Sequence, residues 1–184
     1  MSSLSKILGP FNLRIFEFLV NEGFSVRDLA KKANCSPAKI TQFANLYSGN
    51  GLVVVHSTKN RRVIELDKSS PLVREIIALI FINKILESGA FALLKTLSGS
   101  IGVYGSVVEG TVDRQSDVDL WAISDKKIGI VEIGRLKRQF ANELGRETSI
   151  RFFAKADIEN LREKDPIFYN ELECKSRILQ GEGF

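Results

Sequence analysis

A chain of 184 residues, 44% hydrophobic and 26% charged, has the make-up of an ordinary globular protein with one or two small domains. Its two cysteines, Cys35 and Cys174, stand in neither a CxxC nor a Cys/His spacing, which argues against a disulfide framework or a zinc site. The formal charge of +4 is uneven: residues 1–68 carry ten Lys/Arg against five Asp/Glu, and the remainder sixteen against seventeen. That asymmetry predicts two modules with different partners, the basic one suited to nucleic acid. Reduced cysteines and the lack of a charged-then-apolar start predict a cytoplasmic protein. The longest near-apolar run, Ile76 to Ile82, is too short to span a bilayer, so no membrane is expected.

In chain order, Phe11, Ile15, Phe18 and Leu19 recur at helical spacing until Gly23 stops the run. Ser25 caps a second helix over Val26–Ala33, with Asp28 three positions on as a weaker capping box. Asn34 and Cys35 make a turn, and Ser36 caps a third helix whose first residue is Pro37. That helix runs to about Tyr47 with Ile40, Phe43, Ala44 and Tyr47 on one face. Ser36, Lys39 and Gln42 fall elsewhere, a pattern suited to a major groove. Two β-prone runs, Leu52–His56 and Arg62–Leu66, flank a hairpin tip at Thr58–Arg61. His56, the single histidine, is read as structural. The stretch SVRDLAKKANCSPAKITQFANLYSGNGLV resembles the winged helix-turn-helix of prokaryotic regulators. The resemblance makes Lys59, Arg61 and Arg62 the wing that contacts duplex DNA phosphates.

After a polar stretch, Ser70 caps a helix starting at Pro71 and carrying Leu72, Val73, Ile76, Ile77, Ile80 and Phe81. A face this apolar must be buried, either between the modules or in a homodimer; the dimer is preferred. Gly89 breaks or bends the helix before Phe91–Leu97.

A strand-like run, Ser100–Tyr104, precedes GSVVEGTVDRQSDVDLW over 105–121. Asp117 and Asp119 are two apart in a β-prone segment, so a strand projects both carboxylates from one face. Two such anions repel unless a cation joins them, and hard oxygen ligands with open positions fit Mg²⁺. Gly105 permits a tight turn, and Ser106 opens a short helix to Gly110 whose free amides suit a triphosphate.

Read as Gly-Ser, three residues, Gly, five residues, Ser-Asp-x-Asp-Leu, the segment resembles the signature of polymerase-beta-like nucleotidyltransferases. The likeness is strongest to their minimal archaeal and bacterial members, and it extends from about residue 90 onward. It implies that Gly105, Ser106, Gly110 and Ser116 bind the NTP and that Asp117 and Asp119 bind metal. The family carries a third carboxylate on a later strand. Here that slot falls on Ser149 or Arg151, neither of them acidic, so the third acid is Glu147 or is absent. In the tail, Phe168 and Leu172 supply core contacts within two helices and a last strand, and Cys174 is read as a small buried side chain.

The fold expected is α+β: a winged helix over 1–68 (three helices and a β-hairpin wing), a linker helix over 69–89, and a small nucleotidyltransferase domain with a mixed sheet over 90–184. The function expected is Mg²⁺-dependent transfer of NMP from NTP to an acceptor hydroxyl, on a protein side chain such as tyrosine or serine or on a small molecule. The rivals are a DNA-binding regulator with a degenerate nucleotide-sensing domain and an antitoxin-like partner.

Overall fold

The computed structural model describes residues 8–58 and 61–184. It divides into two compact units: one runs to Ile80 and adds Gly110–Arg114, the other holds Phe81–Glu109 and Gln115–Phe184.

The first unit contains α1 (Pro10–Leu19), β1 (Phe24–Ser25), α2 (Val26–Lys32), α3 (Pro37–Ser48), β2 (Val53–Ser57) and β3 (Arg62–Leu66). Its three strands form one antiparallel sheet in the order β1-β3-β2. The helix starts are where the cap chemistry puts them. The Ser25 hydroxyl accepts from the Asp28 amide at 3.2 Å, and the Ser36 hydroxyl accepts from the Lys39 amide at 3.3 Å. Asn34 takes a left-handed backbone (φ 51°) between α2 and α3, a conformation asparagine tolerates better than most residues. Ile40, Phe43 and Ala44 are buried, as their spacing predicts. Phe43 and Tyr47 meet Phe16 edge to face, with ring centroids 5.3 and 5.1 Å apart. On α1, however, the buried residues are Leu13, Ile15, Phe16 and Leu19, while Phe11 and Phe18 are only half-buried. The short strand β1 has no sequence signal of its own; pairing with Val63 and Ile64 creates it.

Helix α4 spans Pro71–Glu87, and α5 (Gly89–Leu97) follows after a 70° bend. Ser88, one residue before the expected break, caps α5 by accepting from the Phe91 amide at 3.0 Å. Val73, Ile77, Ala78, Ile80, Phe81 and Ile85 are buried within the single chain. The apolar face taken for a dimer seam is therefore core, and Ile77, with no exposure, is unsuitable as an assembly probe. No single helix among the described residues is long and apolar enough to cross a membrane.

The second unit is built on a four-stranded mixed sheet in the order β6-β5-β4-β7, from β4 (Ser100–Tyr104), β5 (Val118–Ile123), β6 (Thr148–Phe153) and β7 (Arg177–Gln180). β4 runs antiparallel to β5 and β7, and β5 runs parallel to β6. The parallel pair is joined by α7 (Ile130–Leu144), as a crossover requires. Helix α6 is the single turn Ser106–Glu109, and α8 (Lys155–Lys164) and α9 (Pro166–Lys175) precede β7. One side of the sheet carries Tyr104, Trp121 and Ile123, packed with Leu172, Phe168, Ile158 and Leu161 of α8 and α9. Trp121 lies across β4 at Gly102, where a Cβ would stand 2.2 Å from the indole, so only glycine leaves room for the ring. Phe168 and Leu172 occupy the core as expected, whereas Cys174 is exposed. The helical phase explains that correction: Leu172 faces inward, and two residues on, the helix has turned about 200° away.

Candidate functional site

The site lies where three strand ends of the second unit meet. β4 ends at Tyr104, and the chain turns sharply through Gly105 into α6. Gly105 has φ 69°, and a Cβ there would stand 3.1 Å from Oδ2 of Asp119. The glycine thus serves both the turn and the close approach of a carboxylate. The amides of Val108 and Glu109 donate to the Gly105 carbonyl at 3.0 and 3.1 Å, closing the turn.

β5 begins at the aspartate pair. Asp117 is exposed just ahead of the strand, and Asp119 is half-buried within it. In register, Asp119 stands opposite Tyr104 on β4 and opposite Ser149 on β6. The start of β5 is tied to the residues leading into β6: the Val118 amide donates to the Glu147 carbonyl at 3.0 Å, and the Arg146 guanidinium donates to the Ser116 carbonyl at 2.9 Å. The same guanidinium lies 5.1 Å over the Phe81 ring.

Burial, and next the Asp117 charge, push the Asp119 carboxyl above its ordinary value. Arg151 partly offsets this, and Glu171 adds to it. Tyr104 is raised as well, by burial first and then by Asp119. Arg151 does not complete a carboxylate clamp. Its guanidinium sits 4.6 Å over the Phe168 ring and hydrogen-bonds Tyr104.

A divalent cation would meet two carboxylates that repel each other, one of them half-buried, beside the Gly105 turn. That donor set fits a hard ion with positions left for phosphate oxygens. Among the described residues no three His, Cys, Asp or Glu side chains come close enough to form a complete metal cage.

Of the residues expected in the site, Gly105, Ser106, Asp117 and Asp119 come together around this turn. Ser116 precedes the pair, and its carbonyl accepts from the Arg146 guanidinium. Gly110 belongs to the first unit by its contacts: at φ 65°, a Cβ there would stand 2.1 Å from the Arg74 carbonyl oxygen. Glu147 falls beside Asp117, two residues before the Asp119–Ser149 pair and just ahead of the Val118–Thr148 pair where the ladder begins. It lines a cavity of about 350 Å³ together with Asp117, Lys137, Arg138, Ala141, Thr148 and Ser149. Glu171 and Tyr104 were not legible as site residues. Glu171 comes from α9, far along the chain, and no spacing links it to the aspartates.

In the first unit, a surface cavity of about 830 Å³ is lined by Arg27, Pro37, Thr41, Thr58, Arg61 and Arg62, among others. Arg61 is tied to Asp28 at 3.1 Å, and Asp28 in turn accepts from the Ser25 hydroxyl at 2.6 Å. Ser36, Lys39 and Gln42 are exposed but lie outside this lining, and Lys39 sits 4.1 Å over the Phe11 ring. Lys59 lies outside the described residues. Arg27 and Thr41, which sequence spacing did not single out, join this lining two residues after the Ser25 cap and five after the Ser36 cap.

Comparison with known proteins agrees with this geometry. The family model described as nucleotidyltransferase domain matches residues 82–178. No curated protein matches the chain. Among solved structures, a toxin-antitoxin with AMP-PNP is similar at 21% identity over 55% of this chain and 73% of its own, with a TM-score of 0.41. A tri-AMPylated Shewanella oneidensis HEPN toxin in complex with MNT antitoxin is similar at 14% identity over 57% and 73%, with a TM-score of 0.39. Since the family match covers more than half of the chain and includes both aspartates and the Gly105–Ser106 turn, this protein belongs to the nucleotidyltransferase domain family.

Proposed function

We propose that the second unit transfers a nucleoside monophosphate from an NTP to an acceptor hydroxyl. The observation that carries this reading is the Asp119 carboxylate seated against the Gly105 turn, which puts a metal-binding anion beside a phosphate-binding loop. Asp117 and Asp119 hold Mg²⁺, and the Gly105–Ser106 turn receives the triphosphate through the first amides of α6. Mg²⁺, when bound, supplies charge neutralisation to the phosphates. The half-burial of Asp119 keeps water from one side of the pair, and Arg146 fixes where the pair starts by holding the Ser116 carbonyl. Gly110 and Ser116 shape the loop between the two motif halves. Glu147, beside Asp117, is the candidate third carboxylate. The test is incubation with each α-labelled NTP and Mg²⁺. Label retained on the protein or passed to a co-purified partner supports transfer, and label on neither speaks against it.

A second reading has one observation in its favour. The strand position beside Asp119 is Ser149, and Arg151 two residues on offsets part of the Asp119 charge. A domain of that kind senses nucleotide without turning it over. It binds NTP in the same experiment but releases no pyrophosphate.

For the first unit we propose a winged helix that binds duplex DNA. Three helices, the α2–turn–α3 pair and the antiparallel hairpin support it, as does the basic excess of residues 1–68. Lys39, Gln42 and Ser36 supply the exposed side of α3, and Lys59, Arg61 and Arg62 the wing. Binding will weaken steeply, by about tenfold or more between roughly 50 and 200 mM salt, as phosphate contacts release counterions. Arg62→Ala will lower affinity for all sequences and reduce the salt slope by about one. Affinity that ignores salt would exclude this role. Arg61→Ala is the less clean probe, because it also breaks the Asp28 pair.

We also propose a homodimer through the outer side of α4. Leu72, Leu79 and Leu86 are 64%, 44% and 45% exposed and recur every seven residues. Leucine at that interval is the seam of a helix pair. Leu79→Glu will convert a sedimenting dimer to monomer with little change in thermal midpoint. A monomeric unsubstituted protein at micromolar concentration would rule the dimer out.

A further inference from the structure

We propose that Lys68 and Glu22 of the first unit are positioning residues for the nucleotide turn, and that through them DNA binding and NTP binding reinforce each other. The proposal rests on the transfer and DNA readings above and links their two sites. The nucleotide motif is not carried by the second unit alone. The chain leaves that unit at Glu109, belongs to the first unit over Gly110–Arg114, and rejoins the second at Gln115. Both ends of this segment lie at the site: Glu109 is the last residue of α6, and Gln115 stands two residues before Asp117.

The segment is fixed within the first unit at three points. Gly110 lies so close to the backbone of Arg74 that a Cβ would reach within 2.1 Å of the Arg74 carbonyl oxygen. Val112 is fully buried, and its carbonyl accepts from the Lys68 ammonium at 3.2 Å. Arg114 pairs with Glu22 at 2.8 Å. Lys68 is itself held, its carbonyl accepting from Nε of Arg74 at 3.1 Å. It stands two residues beyond β3, the strand that begins at Arg62 and is paired on both sides. Glu22 stands two residues before β1, which pairs with β3. Both anchors therefore extend from the end of the sheet opposite the hairpin tip.

That placement gives the coupling its sign. Duplex phosphates that fix Arg62 order the hairpin, and the ordering runs along the doubly paired β3 to Lys68. NTP then closes on a turn whose loop is already restricted, so it loses less conformational entropy on binding. By linkage, NTP raises the affinity for the duplex by the same factor.

The test uses α,β-methylene NTPs with Mg²⁺, which bind without transfer, and a fluorescein-labelled duplex of random sequence. Nucleotide affinity is read by equilibrium dialysis with and without the duplex, and duplex affinity by anisotropy with and without the nucleotide. Both will rise by one common factor, about fivefold or more. Arg114→Glu sets two acids against each other at an exposed pair and will bring the factor to one with the thermal midpoint held. Adding Glu22→Arg, which reverses the pair at the original net charge, will restore it. A factor of one or below in the unsubstituted protein, with both ligands binding, overturns the proposal, as does coupling that survives Arg114→Glu. A protein that binds no NTP counts against the transfer reading. Hydrogen exchange over residues 105–119 then decides the coupling without nucleotide: exchange slowed by the duplex supports it, and unchanged exchange overturns it. A protein that binds no duplex ends the DNA reading and the coupling together.

Discussion

Asp119→Asn will reduce label transfer from α-labelled NTP on the order of 10³-fold or more, while the thermal midpoint holds or rises. On the proposed transfer, the loss follows from removing one of two carboxylates that would hold the cation where charge develops on the transferred phosphate; interactions of that kind contribute about 3–4 kcal/mol to the transition state. The gain in stability follows from the environment of Asp119. Burial and the Asp117 charge hold its carboxyl above 3.8 in the folded protein. A carboxyl raised on folding binds more protons in the native state, so stability falls as pH rises from 3.8 through the folded value. Asparagine removes that loss, and the variant's stability curve will be flatter across the same acidic range. Asp117→Asn will give the same loss of transfer with a smaller change in stability, because Asp117 is exposed. Glu147→Gln separates the third acid from the pair: transfer that survives it means Glu147 takes no proton. Strong destabilisation by both aspartate variants with NTP affinity intact would make the pair structural.

Gly110→Ala will lower stability by at least about 2 kcal/mol, or a thermal midpoint shift of roughly 4–8 °C. Two costs add. Gly110 has φ 65°, a conformation an L side chain adopts at a cost of about 1–2 kcal/mol. Its Cβ would also meet the Arg74 carbonyl oxygen at 2.1 Å, and backbone cannot move aside as a flexible side chain would. The motif glycine is thus required by packing within its own unit, where the Lys68 ammonium donates to the Val112 carbonyl at 3.2 Å and Arg114 pairs with Glu22 at 2.8 Å. Thermal unfolding of the variant decides the point. An unchanged midpoint with lost NTP affinity would return Gly110 to a purely nucleotide-binding role.

Much of this protein was legible locally. Ser25, Ser36 and Pro37 announce two helices because caps act within four residues. The alternation of β5 and the Asp117–Asp119 spacing place a carboxylate pair at a strand start, because strand geometry has a period of two. The Gly105 turn follows from the same reasoning. These inferences depend only on backbone geometry and neighbours a few residues apart.

Long-range contacts decided the rest. Periodicity shows that α4 is apolar, but not that Ile77 lies in the core while Leu79 lies outside, since both are equally hydrophobic. Lys39 reads as an exposed residue of α3, but only the fold brings its ammonium over the Phe11 ring. Cys174 turned outward because Leu172 set the phase of α9 against Trp121 and Tyr104. Glu171 reached the site, and Lys137 and Arg138 came beside Asp117 and Glu147, through pairings between segments up to dozens of residues apart. The amino-acid order determined which residue types the Gly105–Ser106 turn contains and how its strands and caps form, because those interactions are local. Which charges surround the turn, and which apolar faces stay exposed, was decided by the tertiary structure, because burial and electrostatics depend on what the rest of the chain folds against.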